Sequence, residues 1–333
     1  MYTLFVYNKK LIVMYDTIIL RLCKEDIGDE YNYEKVLRKI DKTCTFEKTK
    51  GGCGYYNGLR ISVTENRVLC AGSFSKFQKG NNVHLISMKQ CKLIIKSLSG
   101  QLGVPMEKAD VLMVDIAENF VMEKSPELYI QKMRSLGTFS SNNWENTKYF
   151  SSRGTVIRFY NKMEELRQKR HRGSLPEGME NLLRYEVRFK RRKIRQMFGR
   201  GLKASDLYNK DIYWGFISEW LGCFDDIKKL PDSLFNVTFD QIKTQREMED
   251  WCICLANTVV NLPELVKQVF KCRENPRDSD RQYHKRLQDR LDEALARYQD
   301  YMTPSDLIPE LIRKIEERLT WRFEESTDAY EKN

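Results

Sequence analysis

The chain has 333 residues, of which 41% are hydrophobic and 31% charged, and its mean hydropathy is −0.59. The composition is typical of a soluble globular protein, and the length allows one large domain or two ordinary ones. No run approaches the ~18 consecutive apolar residues of a membrane-spanning helix, which argues against a membrane protein. The formal net charge of +10 and a sequence pI of about 9.0 favour polyanionic partners, nucleic acid before an anionic membrane.

The nine cysteines are scattered along the chain, and Cys252-x-Cys254 is the only close pair. No pair has the C-x-x-C spacing of a zinc site. An odd number of cysteines without a secretory signal predicts reduced thiols and a cytoplasmic protein. The sequence also lacks a GxxxxGK[ST] motif and a His-x-His pair, which excludes a P-loop helicase and a histidine-type metal site.

Before residue 200 the hydrophobic pattern alternates between strand and helix periods. In chain order it predicts a strand over 16–23, strands over 56–64 and 67–72 turning at Glu65-Asn66, a turn-rich loop over 73–82, a helix from Ser87 to about 102, a strand over 109–120, a helix from Ser125 to about 136, strands over 145–150 and 155–161, a helix over 162–171, a loop over 173–178, a strand around Glu186, and a helix over 191–198.

Beyond residue 200 the periodicity is helical. Helices are predicted over 206–225, 239–260, 262–271, 278–302 and 304–325. The predicted fold class is therefore α+β, with a largely antiparallel central sheet flanked by helices and followed by a mainly helical C-terminal region. We place the domain boundary near 200, which gives a domain over 1–200 and a helical accessory, DNA-binding or dimerisation region over 201–333.

Two segments, over 155–166 and 182–192, have the most distinctive pattern if they are read as strands. Alternation places Arg158, Tyr160 and Lys162 on one face of the first strand, and Arg184, Glu186, Arg188 and Lys190 on one face of the second. The opposite faces are apolar and must pack on a core, so the charged faces are left for solvent or for a ligand. A tyrosine, a lysine, a carboxylate and several arginines together suit chemistry on a phosphodiester.

Tyr160 is the candidate nucleophile, although a merely amphipathic strand tyrosine is the alternative interpretation. Lys162 on the same face could lower the pKa of the phenol or stabilise charge on a phosphate. Asp115 is a lone acid in an apolar strand and is costly to bury unpaired, so we expect it to face a ligand or a base; a structural salt bridge to an arginine is the alternative interpretation. Asp115 and Glu186 together would form an oxygen site for Mg²⁺ or Mn²⁺.

Basic residues cluster after the second strand. A solvated helix is the ordinary interpretation of such a run, but the excess of positive charge favours contacts with nucleic-acid phosphates. The candidate DNA-binding residues are Lys76, Lys79, Arg184, Arg188, Lys190, Arg191, Arg192, Lys193 and Arg195.

A series of short segments resembles the gene II/X replication initiator family of filamentous phages. These segments are MYDTIILRL from Met14, YNGLRISV (56–63), SFSKFQKGNNV (73–83), NNWENT (142–147), RGTVIRFYNKMEEL (153–166) and LLRYEVRF (182–189). The match over IRFYNK implies that Tyr160 is the active-site tyrosine and Lys162 its partner. Tyr149 resembles a second tyrosine context and is the reserve nucleophile.

The resemblance implies a metal-dependent, site-specific endonuclease that nicks a plus-strand origin for rolling-circle replication and rejoins the displaced strand, with residues 1–200 as its catalytic domain. Arg158 would help Lys162 to stabilise the phosphate. The implied partners are double-stranded origin DNA, the displaced single strand, a host helicase and polymerase, and a second copy of the chain; no membrane partner is expected. A non-catalytic copy-control repressor and an RNA-binding protein are the competing interpretations.

Residues 1–13 precede the start of the resemblance and are a candidate extension. We expect a chain that begins at Met14 to fold and to nick. Loss of folding in that truncation, measured by circular dichroism, would contradict this expectation.

Overall fold

The structure is a computed structural model that describes residues 13–28, 32–43, 45–49, 53–144, 146–168, 179–229, 242–259, 262–271, 277–298 and 307–328. The candidate extension, except for residue 13, and the loop predicted over 173–178 lie outside these ranges. The chain divides into two compact units, Met1–Lys228 with Arg313–Asn333, and Lys229–Ile312. No described helix combines the length and apolar character needed to cross a bilayer.

The first unit contains the strands. They are β1 (Val13–Cys23), β2 (Thr45–Thr49), β3 (Cys53–Tyr56), β4 (Leu59–Thr64), β5 (Arg67–Ser73), β6 (Ile86–Ser87), β7 (Asp110–Val121), β8 (Met133–Ser135), β9 (Ser140–Trp144), β10 (Thr147–Ser151), β11 (Thr155–Asn161) and β12 (Leu182–Lys190), with β13 (Lys228–Lys229) at the division between the units.

The helices of the first unit are α1 (Lys24–Ile27), α2 (Tyr33–Thr43), α3 (Phe74–Lys79), α4 (Met88–Leu102), α5 (Pro126–Lys132), α6 (Lys162–Gln168), α7 (Arg191–Phe198) and α8 (Lys210–Asp225), with 3₁₀ turns at Met106–Lys108 and Ala204–Tyr208. Several ends follow the predicted signals. Ser87 accepts a hydrogen bond from the Gln90 amide at the start of α4, and Gly199 ends α7 in the left-handed conformation.

Eleven strands form one sheet in the order β2-β3-β4-β5-β1-β7-β12-β11-β10-β9, with β6 paired to β1. Every pairing described in this sheet is antiparallel. The predicted α+β class with an antiparallel central sheet is therefore confirmed.

The core lies between the apolar face of the sheet and α8. Tyr185 on β12 stacks on Phe159 at a centroid distance of 4.5 Å, packs against Trp220 and donates a hydrogen bond to the Trp220 carbonyl at 2.8 Å. Phe189 on the same face packs on Phe216 of α8. Because α8 covers the sheet in this way, the first compact unit continues to Lys228, past the boundary drawn near 200.

Two elements differ from the sequence-based expectation. The strand predicted over 56–64 is broken by a turn at Asn57-Gly58, where both residues have positive φ (46° and 83°), so β3 and β4 form a hairpin. The loop predicted over 73–82 contains α3, because the Ser73 hydroxyl caps the first turn and Gly80 adopts the left-handed conformation at the end.

The second unit is helical, as predicted. Its described helices are α9 (Gln245–Val259), α10 (Leu262–Lys271) and α11 (Asp278–Tyr298), and α12 (Leu307–Asp328) begins in it. Asp250 on α9 is fully buried and pairs with both Arg290 and Arg297 on α11. These ion pairs fix α9 against α11 within the unit.

Candidate active site

Three adjacent strands, β7, β12 and β11, form the charged face of the sheet. Between β12 and β7, Arg188 lies opposite Asp115. Between β12 and β11, Glu186 lies opposite Arg158 and Arg184 lies opposite Tyr160. Directly opposite residues project on the same side of an antiparallel sheet. The register places Arg158, Tyr160, Arg184, Glu186 and Arg188 on one face, as alternation predicts, and the neighbouring strand adds Asp115. The expectation that this face is left for solvent or a ligand is wrong for its centre, because Asp115, Arg184 and Glu186 are buried.

Tyr160 donates a hydrogen bond from its hydroxyl to Glu186 Oε2 at 3.2 Å. Burial raises the pKa of the Tyr160 phenol, with the charge of Glu165 acting in the same direction and that of Arg184 opposing it. Desolvation of the phenolate dominates this shift. The phenol is therefore protonated at neutral pH and needs a base before it can attack.

Lys162 is fully buried and begins α6 instead of continuing the strand. Its ammonium donates hydrogen bonds to Asn82 Oδ1 at 2.9 Å and to Glu165, and its Nζ lies 5.7 Å from the centroid of the Tyr160 ring. Burial, reinforced by the charge of Arg184 and opposed by Glu165, lowers the pKa of Lys162 to about 7. Lys162 thus lies beside the tyrosine, as expected, with a charge that changes near neutral pH.

The lowered pKa makes folding stability depend on pH. Lys162 binds a proton less tightly in the folded than in the unfolded chain, so stability should rise between about pH 7 and the unfolded pKa of about 10.4. From pH 7 to 9 we expect a gain of about 2 kcal/mol from this group, at 1.36 kcal/mol per pKa unit. Urea unfolding of Lys162→Met should lack that gain, whereas the exposed-site control Lys96→Met should retain it. Equal pH slopes in both variants would refute this assignment.

Asp115 is fully buried and paired with arginine. Arg188 binds it with two hydrogen bonds, from Nε at 2.8 Å and from a terminal nitrogen at 2.7 Å. Arg158 approaches the same carboxylate at 3.3 Å. Burial raises the pKa of Asp115, and both arginines oppose that shift. The structure therefore shows the salt bridge that was the alternative interpretation of this residue.

Glu186 is also buried and surrounded by donors. Arg158 pairs with its Oε1, and its Oε2 is 3.3 Å from Arg184 Nε and accepts the Tyr160 hydroxyl. Because arginines surround the carboxylates of Asp115 and Glu186, this arrangement does not fit a divalent cation, which would face their positive charges. No cluster of three metal-binding side chains occurs among the residues that the structure describes.

Asp16 and Asn82 belong to the site and were missed from the sequence. Asp16 Oδ2 accepts a hydrogen bond from Arg184 at 2.6 Å, and the Asn82 carbonyl accepts another from the same guanidinium at 2.7 Å. Asn82 therefore holds both Arg184 and Lys162. Of these two residues, only Asp16 could have been recognised from the sequence, because it is an acid in an apolar strand, as Asp115 is.

Tyr149, the reserve nucleophile, lies on the same face. Tyr149 on β10 lies opposite Arg158 on β11, and Thr147, two residues before Tyr149, lies opposite Tyr160. Tyr149 and Tyr160 are therefore diagonal neighbours, roughly 7–8 Å apart in an antiparallel sheet. The register gives Tyr149 an arginine as its cross-strand partner, and Tyr160 has the carboxylate contact.

A family model for the N-terminal region of the phage gene II replication-associated protein matches residues 14–211, which is more than half of the chain. The chain belongs to this family. The predicted filamentous-phage gene II family is thereby confirmed, and membership assigns this phage replication protein a role in phage replication initiation. A comparison with curated proteins found no match.

The residues of the predicted DNA-binding set differ in their exposure and in their ion pairs. Arg184 pairs with Asp16, Arg188 with Asp115 and Lys193 with Glu219, so all three form ion pairs with acids of the protein itself. Arg191 is 39% exposed while it contacts Asp110. The exposed or half-buried remainder of the predicted DNA-binding set comprises Lys76, Lys79, Lys190, Arg192 and Arg195.

Proposed function

We propose that this phage replication protein nicks origin DNA through a covalent tyrosine–phosphodiester intermediate and later rejoins the displaced strand. The observation that supports this function is the hydrogen bond from Tyr160, which is half-buried, to the buried carboxylate of Glu186. A hydroxyl nucleophile in contact with a base, which is in turn oriented by other groups, is the arrangement expected for covalent catalysis. Arg158 and Arg184 orient Glu186.

In the proposed reaction Tyr160 attacks the scissile phosphorus and Glu186 accepts the phenolic proton. The bond from Tyr160 Oη to phosphorus forms, the bond from phosphorus to the 3′-oxygen breaks, and the 3′-oxygen leaves as a hydroxyl. The proton lost by the tyrosine balances the proton gained by the leaving group. Rejoining is the reverse reaction, in which a 3′-hydroxyl attacks the phosphotyrosine.

We assign the scissile phosphate to Arg158, which lies on the same strand and the same face as Tyr160. Its side chain is 22% exposed, and its Nε is buried without a hydrogen-bond acceptor among the described residues. A guanidinium has five N–H donors, so it can hold Glu186 and still bind a phosphate oxygen. Lys162, in its charged form, adds positive charge on the same side of Tyr160.

The proposal includes a requirement for Mg²⁺ or Mn²⁺, to which we assign no residue because Asp115 and Glu186 are paired with arginines. We expect EDTA to abolish nicking of supercoiled origin DNA and added Mg²⁺ to restore it. We also expect EDTA to leave the thermal unfolding midpoint unchanged, since buried ion pairs rather than a metal hold the site together. A lowered midpoint would contradict the arginine-paired assignment.

The proposed partners are duplex origin DNA, the displaced single strand, the host helicase and polymerase, and a second copy of the chain, all in the bacterial cytoplasm. The deciding experiment is denaturing gel electrophoresis of the protein with supercoiled DNA that contains the cognate origin. A covalent protein–DNA adduct together with a nicked circle would support the enzyme. Salt-sensitive origin binding with neither product would favour the repressor, and preference for RNA would favour the RNA-binding alternative.

A further inference from the structure

Trp144 is a large aromatic residue left in solvent. Its side chain is 71% exposed, and every residue of β9, Ser140–Trp144, is exposed. Single exposed apolar residues are normal on protein surfaces. Exposure alone therefore does not indicate a function for Trp144, and we infer its role from its position in the sheet.

The register places Trp144 on the same face as the candidate nucleophile. Trp144 lies opposite Thr147, and Thr147 lies opposite Tyr160, so all three side chains project from one side of the sheet. Two strand spacings of about 4.8 Å separate Trp144 from Tyr160, a distance of roughly 10 Å. Asn142 and Tyr149 form the next row of the same face.

This distance matches a short stretch of nucleic acid. Stacked nucleotides rise about 3.4 Å each along one strand, so roughly 10 Å corresponds to about three nucleotides. A base can stack on an indole only when it is unpaired, and aromatic side chains on an open sheet are the usual stacking surfaces for single strands. Arg158 on the same face supplies positive charge for the strand's phosphates.

We propose that Trp144 is a stacking platform for an unpaired base of single-stranded DNA, within about three nucleotides of the phosphate attacked by Tyr160. The inference rests on the proposed function, because it assumes that the strand runs across the Tyr160 face. Under this proposal the ligand that binds at β9 is single-stranded DNA of any sequence, because every base has a flat face that can stack on the indole. A partner strand that pairs with β9, or a second copy of the chain, would be a different occupant.

The test measures binding to an oligothymidylate of about 12 nucleotides, within the usual range of single-strand site sizes, that contains one 2-aminopurine, whose fluorescence reports stacking. Full-length Tyr160→Phe protein is used, so that binding is read without chemistry. Adding Trp144→Ala should raise the Kd roughly 5- to 150-fold and remove the fluorescence change, whereas Trp144→Phe should retain most of both. Tyr55→Ala is the matched control, because Tyr55 is 51% exposed on β3, near the other end of the sheet order.

Nicking assays on origin DNA separate failure of this inference from failure of the proposed function. Unchanged oligonucleotide binding in Trp144→Ala, with adduct formation intact in the wild type, would overturn the stacking platform alone. No binding and no adduct in the wild type would overturn both. A change of oligomeric state in Trp144→Ala, seen by sedimentation while DNA binding stays unchanged, would identify β9 as a contact between copies and also overturn the proposal.

Discussion

Replacing Tyr160 with phenylalanine should abolish the covalent protein–DNA adduct and reduce nicking of supercoiled origin DNA by at least about 10³-fold. Removal of a nucleophile eliminates the reaction path, and losses of that order or larger are typical. The substitution removes one hydroxyl that donates to Glu186 and leaves the ring in place. Origin binding, measured by gel shift, should therefore change by less than about threefold, since a single neutral hydrogen bond contributes little net free energy.

Tyr149→Phe is the matched control, because it removes the same atom from the same face of the neighbouring strand. We expect its adduct yield to stay within about twofold of the wild type, because it leaves the nucleophile and its base in place. Peptide mapping of the trapped adduct should identify the peptide that contains Tyr160. If the adduct persists in Tyr160→Phe and disappears in Tyr149→Phe, the protein is still a nicking enzyme, but its nucleophile is Tyr149 on β10.

Replacing Asp115 with asparagine should lower the free energy of unfolding by about 3–5 kcal/mol. The neutral amide cannot balance Arg188 and Arg158, and its NH₂ group would face a guanidinium that now donates to a carboxylate. Breaking one partner of a buried ion pair leaves the other charge uncompensated, which is why the loss is large. Urea denaturation in metal-free buffer would measure it.

Asp211→Asn provides the comparison, since Asp211 is an exposed acid in the first turn of α8. Its loss should cost less than about 1 kcal/mol, the usual contribution of a charge near a helix terminus. If Asp115 were a metal ligand without a structural role, Asp115→Asn would unfold at the wild-type urea concentration in metal-free buffer while losing metal-dependent activity. That result would support Asp115 as a metal ligand.

The charges of the site are nearly balanced. Its four acids are Asp16, Asp115, Glu165 and Glu186, and its four bases are Arg158, Lys162, Arg184 and Arg188. A DNA phosphate that enters this cluster adds a negative charge, so under the proposed function it must share arginine donors with the carboxylates. Positive charge on Lys162 then matters, and with a pKa of about 7 that charge is largest in mildly acidic solution.

Most of the local structure, and the strand residues of the site face, could be predicted from the sequence. Alternation in two strands placed Tyr160 and Arg158 on one side and Arg184 and Glu186 likewise, because side chains in a strand alternate whatever the strand pairs with. Capping residues such as Ser87 and Gly199 marked helix ends, since these positions need a side-chain acceptor or a left-handed backbone.

The contacts of each charged group could not be predicted from the sequence, because they depend on which strands and loops pack together. Alternation names the face of a residue but not the neighbouring strand, so it could not distinguish an arginine from a metal ion as the partner of Asp115. Arg184 reaches Asp16, 168 positions away in the chain, and Asn82, 102 positions away. Such contacts form when distant strands pair and a loop closes over them. Because of this strand order, the carboxylates predicted to bind a metal instead form a network of buried ion pairs around Tyr160.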